Sequence, residues 1–205
     1  MGRLPGAVLA IGLLTSRLAC PQNVIEFESN GLKYMTLTRS GVTLMFAQLP
    51  THVHSYAIVQ VAISNGAPSP YFIRPEDFTY VRSDGTEIHA TPARTVIGVL
   101  TQKGSGNDVI KLVTTYEASV YGNSHFKSTN GYEQRRQAAL AMTSTRLKAA
   151  AAASALALVQ TKMAPGDTTD GAVFFETEGK PLGPGHMLVR TNTDTFDFLT
   201  NSAPE

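Results

Sequence analysis

Residues 56–65 read YAIVQVAISN. Successive side chains of an extended chain point to opposite faces, which puts Ala57, Val59, Val61 and Ile63 on one side and Gln60 and Ser64 on the other. The stretch closes on Asn65-Gly66, a dipeptide that favours a reversal, so a half-buried β-strand ending in a turn is expected here. Similar short runs lie on both sides of it. Upstream are 23–27 (NVIEF), 32–39 (LKYMTLTR), whose faces are unsorted as suits a strand covered on both sides, and 42–49 (VTLMFAQL), which Pro50 is expected to end. Downstream, 71–73 (YFI) and 78–82 (FTYVR) lead into Asp84-Gly85, a strong hairpin signal that would return 87–90 beside 78–82. Three later runs, 171–176 (GAVFFE), 186–190 (HMLVR) and 195–199 (TFDFL), offer Val173 with Phe175 and Phe196 with Phe198 as inward pairs. Together they predict a mainly β protein, an antiparallel β-sandwich with 56–65 near its centre.

The chain has 205 residues, 42% apolar and 16% charged with a formal charge of +1, which suits one folded core and argues against disorder or an attraction for polyanions. Nucleic acid is not an expected partner. A single Cys excludes an internal disulfide and a cysteine-rich metal site. That Cys ends an export-like leader: Arg3, then the apolar run 4–15 (LPGAVLAIGLLT), then Leu18-Ala19-Cys20. The last three residues resemble the lipobox of bacterial lipoproteins, in which the Cys is acylated and becomes the first mature residue. Arg17 departs from that pattern, which prefers an apolar residue there, and leaves ordinary signal cleavage or an uncleaved anchor as alternatives. The expected organisation is a signal over 1–20 with Cys20 the lipid-bearing residue, then one domain over 21–205 outside the cytoplasm.

Between the two groups of strands the pattern turns helical, as an insertion over about 106–162. Asp108 suits the cap of a helix through 121, with Val109, Leu112, Val113 and Tyr116 at helical spacing, while 94–100 reads as strand or helix and 123–131 as a polar loop. Residues 132–160 contain neither Gly nor Pro, and 148–158 (KAAAAASALAL) is built from the best helix former, so one rod of about 40 Å is expected, paired with the preceding helix as an α-hairpin. Leu140, Leu147, Ala151, Ser154 and Leu158 would form one seam of it, and Met142, Ala149 and Leu156 a second. Arg146 and Lys148 split the apolar stretch and argue against a membrane span. With Arg135 and Arg136 they give the rod a basic side, a candidate surface for an envelope protein, anionic lipid or a second copy of the chain.

Three features recur in order: Ile63-Ser64-Asn65-Gly66, the segment 78–87 (FTYVRSDGTE), and Pro165-Gly166-Asp167-Thr168 leading into 171–176. This order resembles the telokin-like, immunoglobulin-fold domains of unknown function found in bacterial secreted lipoproteins. The resemblance covers about 32–90 and 163–198 and implies an immunoglobulin-like sandwich. It implies nothing about a ligand, and the long segment 91–162 departs from it.

Candidate chemistry is sparse. His52 and His54 are two apart, so on a strand they would share a face and could reach one metal, given further ligands from a distance. No Gly-x-Ser-x-Gly elbow is present, and Gly104-Ser105-Gly106-Asn107 lacks the Gly-Lys-Ser/Thr ending of a phosphate-binding loop. Asp167, Asp170, Glu176 and Glu178 read as a solvated turn rather than a calcium loop. The sequence therefore points to a non-enzymatic binding or structural module of the bacterial envelope with no cofactor. The alternative is a metal-dependent envelope hydrolase using His52 and His54.

Overall fold

The computed structural model describes residues 23–121 and 131–199. The leader with Cys20, most of the polar 123–131 stretch and the tail from 200 lie outside the described residues. Among the described residues eleven strands form: β1 (Ile25–Ser29), β2 (Leu32–Arg39), β3 (Val42–Val53), β4 (Tyr56–Asn65), β5 (Tyr71–Ile73), β6 (Phe78–Arg82), β7 (Glu87–Thr91), β8 (Thr161–Met163), β9 (Thr168–Glu176), β10 (Gly185–Arg190) and β11 (Thr195–Asp197). Nine of them make one sheet in the order β1-β2-β3-β4-β9-β7-β6-β10-β11, and β5 pairs with β8 in a small ribbon. The protein is mainly β, and its antiparallel main sheet curls into a half-barrel.

The curl creates two cores. Inside it, Leu44, Phe46, Val59, Val61 and Ile63 meet Phe78, Val173, Phe175, Val189, Phe196 and Phe198, with the Phe46 and Phe198 rings edge-on at 4.9 Å. All four Phe and Val residues expected to point inward do so. Outside it, Tyr34, Met45, Leu49, Ile58 and Phe174 are covered by helices. Strand β4 is consequently buried on both faces rather than half-buried, because Tyr56, Ile58 and Ala62 on its second face lie under the helical layer. Strand β3 runs through Pro50 instead of ending there. The pairing with β4 slips between Gln48 and His52, and such an irregularity accommodates a residue with no N–H to give. The Asp84-Gly85 reversal is wider than a two-residue turn: Val81 pairs with Glu87, Gly85 takes φ of 84°, and Asp84 accepts the Thr86 amide hydrogen.

Among the described residues between β7 and β8 lie four helices: α1 (Ala93–Lys103), α2 (Gly106–Tyr121), α3 (Tyr132–Leu140) and α4 (Thr145–Leu156). Helix therefore starts at Ala93, and more of it is present than one α-hairpin. The expected single rod over 132–160 is two helices, broken at 141–144. Thr143, Ser144 and Thr145 cluster at the break, residues that favour starts over interiors, and Ser144 is extended where α4 begins. The cap of α2 likewise sits earlier than expected. Ser105 occupies it, and Asp108 three residues on accepts the Ser105 backbone N–H at 2.8 Å and its hydroxyl at 2.7 Å, a capping box.

The alanine run is the centre of the helical layer. Ala149, Ala150, Ala152, Ala153, Ala155 and Leu156 are all buried against α1, α2 and α3, so its small side chains serve close packing within the chain. Leu147, expected in a seam, is 50% exposed. Leu158 is buried, but beyond the helix and in the inner core. There the chain crosses β9, and the Leu158 amide donates to the Ala172 carbonyl at 2.9 Å.

Candidate functional site

His52 and His54 go to different partners. His52 Nε2 lies 2.8 Å from the Lys180 carbonyl oxygen, on the β9–β10 connection. His54 is not in the strand: it occupies the β3–β4 turn with φ of 51°, and its Nε2 lies 3.5 Å from Asp108 Oδ2, an oxygen already engaged in capping α2. Among the described residues no group of three or more His, Cys, Asp and Glu side chains gathers so as to hold a metal ion. Gly104 to Asn107 joins α1 to the capped start of α2.

The four acids are spread along β9 and beyond rather than gathered at one turn. Asp167 accepts the Ala164 amide hydrogen at 2.7 Å, and Glu178 pairs with Lys180 at 3.3 Å. Asp170 is only 3% exposed, which the reading of a solvated turn missed. It faces the helices, where the Tyr116 hydroxyl donates to its Oδ2 at 2.6 Å. Burial first, then the Asp170 charge and that hydrogen bond, hold the Tyr116 phenol well above its ordinary value of 10.0. The Tyr132 ring leans on Tyr116 at 5.2 Å, and its hydroxyl donates to Glu117 at 3.3 Å. Gln60, 3% exposed, faces the same layer opposite Ala172, and its Oε1 has no hydrogen-bond partner among the described residues. The sequence did carry a signal for this cluster. Asp170 shares strand parity with Ala172 and Phe174, and Tyr116 sits on the buried stripe of its helix.

The expected basic side also divides. On α3, Arg135 turns inward and gives two hydrogen bonds, at 3.1 and 2.9 Å, to the Ala155 carbonyl near the end of α4. Arg136 pairs with Glu117 and, at 3.5 Å, with Glu133. On the first turn of α4, Arg146 is exposed and reaches the Gln102 carbonyl at 3.4 Å, while Lys148 is half-buried. A shallow depression of about 200 Å³ elsewhere mixes Arg82 and Lys180 with Glu176 and Glu178.

The outermost strands are β1 and β11. Among the described residues β1 pairs on one side only, and its Ile25 and Phe27 are 57% and 38% exposed. Phe27 lies flat on Tyr34 with centroids 5.2 Å apart, so this edge continues the apolar surface beneath the helices. Among the described residues no helix is long and apolar enough to cross a membrane. Comparison with protein-family models, with curated proteins and with solved structures gives no match.

Proposed function

We propose that the chain is a non-enzymatic binding or structural module of the bacterial cell envelope, exported by residues 1–20 and tethered by lipid at Cys20. In this reading the half-barrel is an immunoglobulin-like sandwich related to the telokin-like domains, and 93–156 is the helical insertion that distinguishes it. The supporting observation is β1. Among the described residues β1 is an outermost strand of the sheet, the position at which a partner's strand can add. Here the edge carries exposed Ile25 and Phe27, alternating with Glu26 and Glu28, shortly after Cys20 in the chain. Partner recognition then runs through main-chain pairing on β1, with Ile25 and Phe27 supplying side-chain selectivity. A photo-crosslinking residue at Glu26, carried by the exported protein in cells, is expected to capture a discrete envelope protein. Mass spectrometry of the mature N-terminus is expected to find acylated Cys20. Capture no greater than from a crosslinker at Ser83, on the far β6–β7 turn, would remove the edge from the proposal, and an unmodified Cys20 would remove the tether.

A further inference from the structure

We propose that the end of the helical layer built from the α1–α2 junction and the α3–α4 junction is a docking surface for anionic lipid headgroups. The two junctions approach each other closely at three points. A Cβ on Gly104 would stand 2.9 Å from the Ala149 Cβ, one on Gly106 would stand 3.9 Å from Thr145 Cγ2, and Arg146 reaches the Gln102 carbonyl. Residues 141–147 are exposed throughout. On this end Ile110, Met142 and Leu147 are 63%, 40% and 50% exposed.

The charge is one-sided. Lys103, Lys111, Arg146 and Lys148 all belong to segments 101–111 and 141–148, whose single acid is Asp108. Asp108 is buried, capped by Ser105 and approached at 3.5 Å by His54, so it presents little charge outward. Among the described residues none of the four cations joins an ion pair, whereas Arg136 in the same layer is spent on Glu117 and Glu133. Separate apolar side chains interspersed with long flexible cations fit the headgroup boundary of a bilayer, where the apolar groups enter and the ammonium and guanidinium groups stay among phosphates. An acidic protein face would need fixed complementary geometry, so the lipid surface is the better occupant. The inference goes beyond the envelope reading and does not depend on acylation of Cys20.

The test uses the full chain with Cys20→Ser, carrying Leu147→Cys labelled with an environment-sensitive fluorophore. Vesicle capture through the leader leaves the emission at 147 unchanged, and only entry of this end into lipid alters it. Phosphatidylcholine vesicles containing phosphatidylglycerol are expected to shift the emission to the blue, while pure phosphatidylcholine vesicles and a control label at Ser83→Cys give no shift. Lys103→Glu with Arg146→Glu should abolish it, with each removed charge weakening binding about fivefold and added salt acting in the same direction. An unshifted label on vesicle-bound protein overturns the proposal and leaves the tether untouched. So does an equal shift on neutral vesicles, or a shift that survives charge reversal in a variant whose circular dichroism matches the parent.

Discussion

Asn65 shows how much one buried side chain can organise. It is fully buried at the end of β4, its Nδ2 faces the carbonyl oxygens of Ser69, Met163 and Ala164 at 3.0 to 3.2 Å, and its Oδ1 accepts the Ala67 amide hydrogen. Its backbone adds bonds to Asp167 and Gly166. Two loops far apart in sequence are therefore pinned by one amide. Asn65→Leu leaves several buried polar groups without partners, each worth about 1–3 kcal/mol, and is expected to cost about 3 kcal/mol in urea unfolding. Gly171 is as demanding for a steric reason. A Cβ there would lie 2.4 Å from the Leu158 Cα, a backbone atom that cannot swing aside, so Gly171→Ala displaces the crossing segment between α4 and β8. Tyrosine burial sets the alkaline limit. Burial is the first cause of the raised phenols of Tyr34, Tyr56, Tyr71, Tyr80 and Tyr116, whose ordinary value is 10.0. Above that value the unfolded chain loses phenol protons that the folded chain keeps, so the unfolded state binds fewer protons and stability falls as pH rises. Stability measured by urea from about pH 8 to about pH 11 should be level below about pH 9.5 and then decline, and Tyr116→Phe should flatten part of that decline.

Among the elements, α4 has the least room. Ala149 and Ala153 are 0% exposed between neighbouring helices, so Ala153→Leu should cost about 1–3 kcal/mol through overpacking, whereas Leu147→Glu on the exposed first turn should change stability by about 0.5 kcal/mol or less. Thermal melts of the two variants check the contrast, and a large loss from Leu147→Glu would mean that it is covered in solution, for example by a second copy. What was readable in the sequence follows the same logic. Strands whose two faces differ in composition, and Phe196 with Phe198, announced themselves through period-two alternation. The second burial of β4 was not readable, because Tyr56, Ile58 and Ala62 are apolar for helices that arrive from residues 93–156. The break at 141–144 was outweighed by the absence of Gly and Pro, although Thr143, Ser144 and Thr145 carried the stop. At the candidate surfaces, four basic residues were visible but not their division, since Arg135 and Arg136 find partners set by helix packing rather than by spacing. His52 and His54 share a face only if both lie in a strand, and His54 sits in the turn instead.

At the scale of the whole molecule the question is what keeps the sheet curled. Two kinds of contact draw its β2–β3 side against its β10–β11 side. One is a polar latch between the β2–β3 and β10–β11 turns, in which Arg39 Nη1 donates to the Thr195 carbonyl at 2.7 Å and Ser40 Oγ donates to Asp194 Oδ1 at 2.8 Å. The other is the inner core, with Phe196 and Phe198 completely buried against β3 and its neighbours. The latch is exposed, and exposed polar pairs are worth up to about 1 kcal/mol, while removing a buried phenyl ring costs about 3–5 kcal/mol. Apolar burial therefore holds the curl, and the latch sets its register. The two cores on either side of the sheet are not independent, because adjacent residues of the same strands serve both: Ile58 and Phe174 face the helices, Val59 and Phe175 the interior. Losing either core exposes one face of β4 and β9 and withdraws support from the other. Leu112→Ala on the helical side and Phe196→Ala on the inner side are thus each expected to lower the midpoint of one shared transition, the second by more, with far-UV and tyrosine near-UV dichroism falling together. If Leu112→Ala instead splits unfolding into two steps, with helical signal lost before the tyrosine environment of the sheet, the strands are not transmitting stability between the layers and the helices are a separable unit.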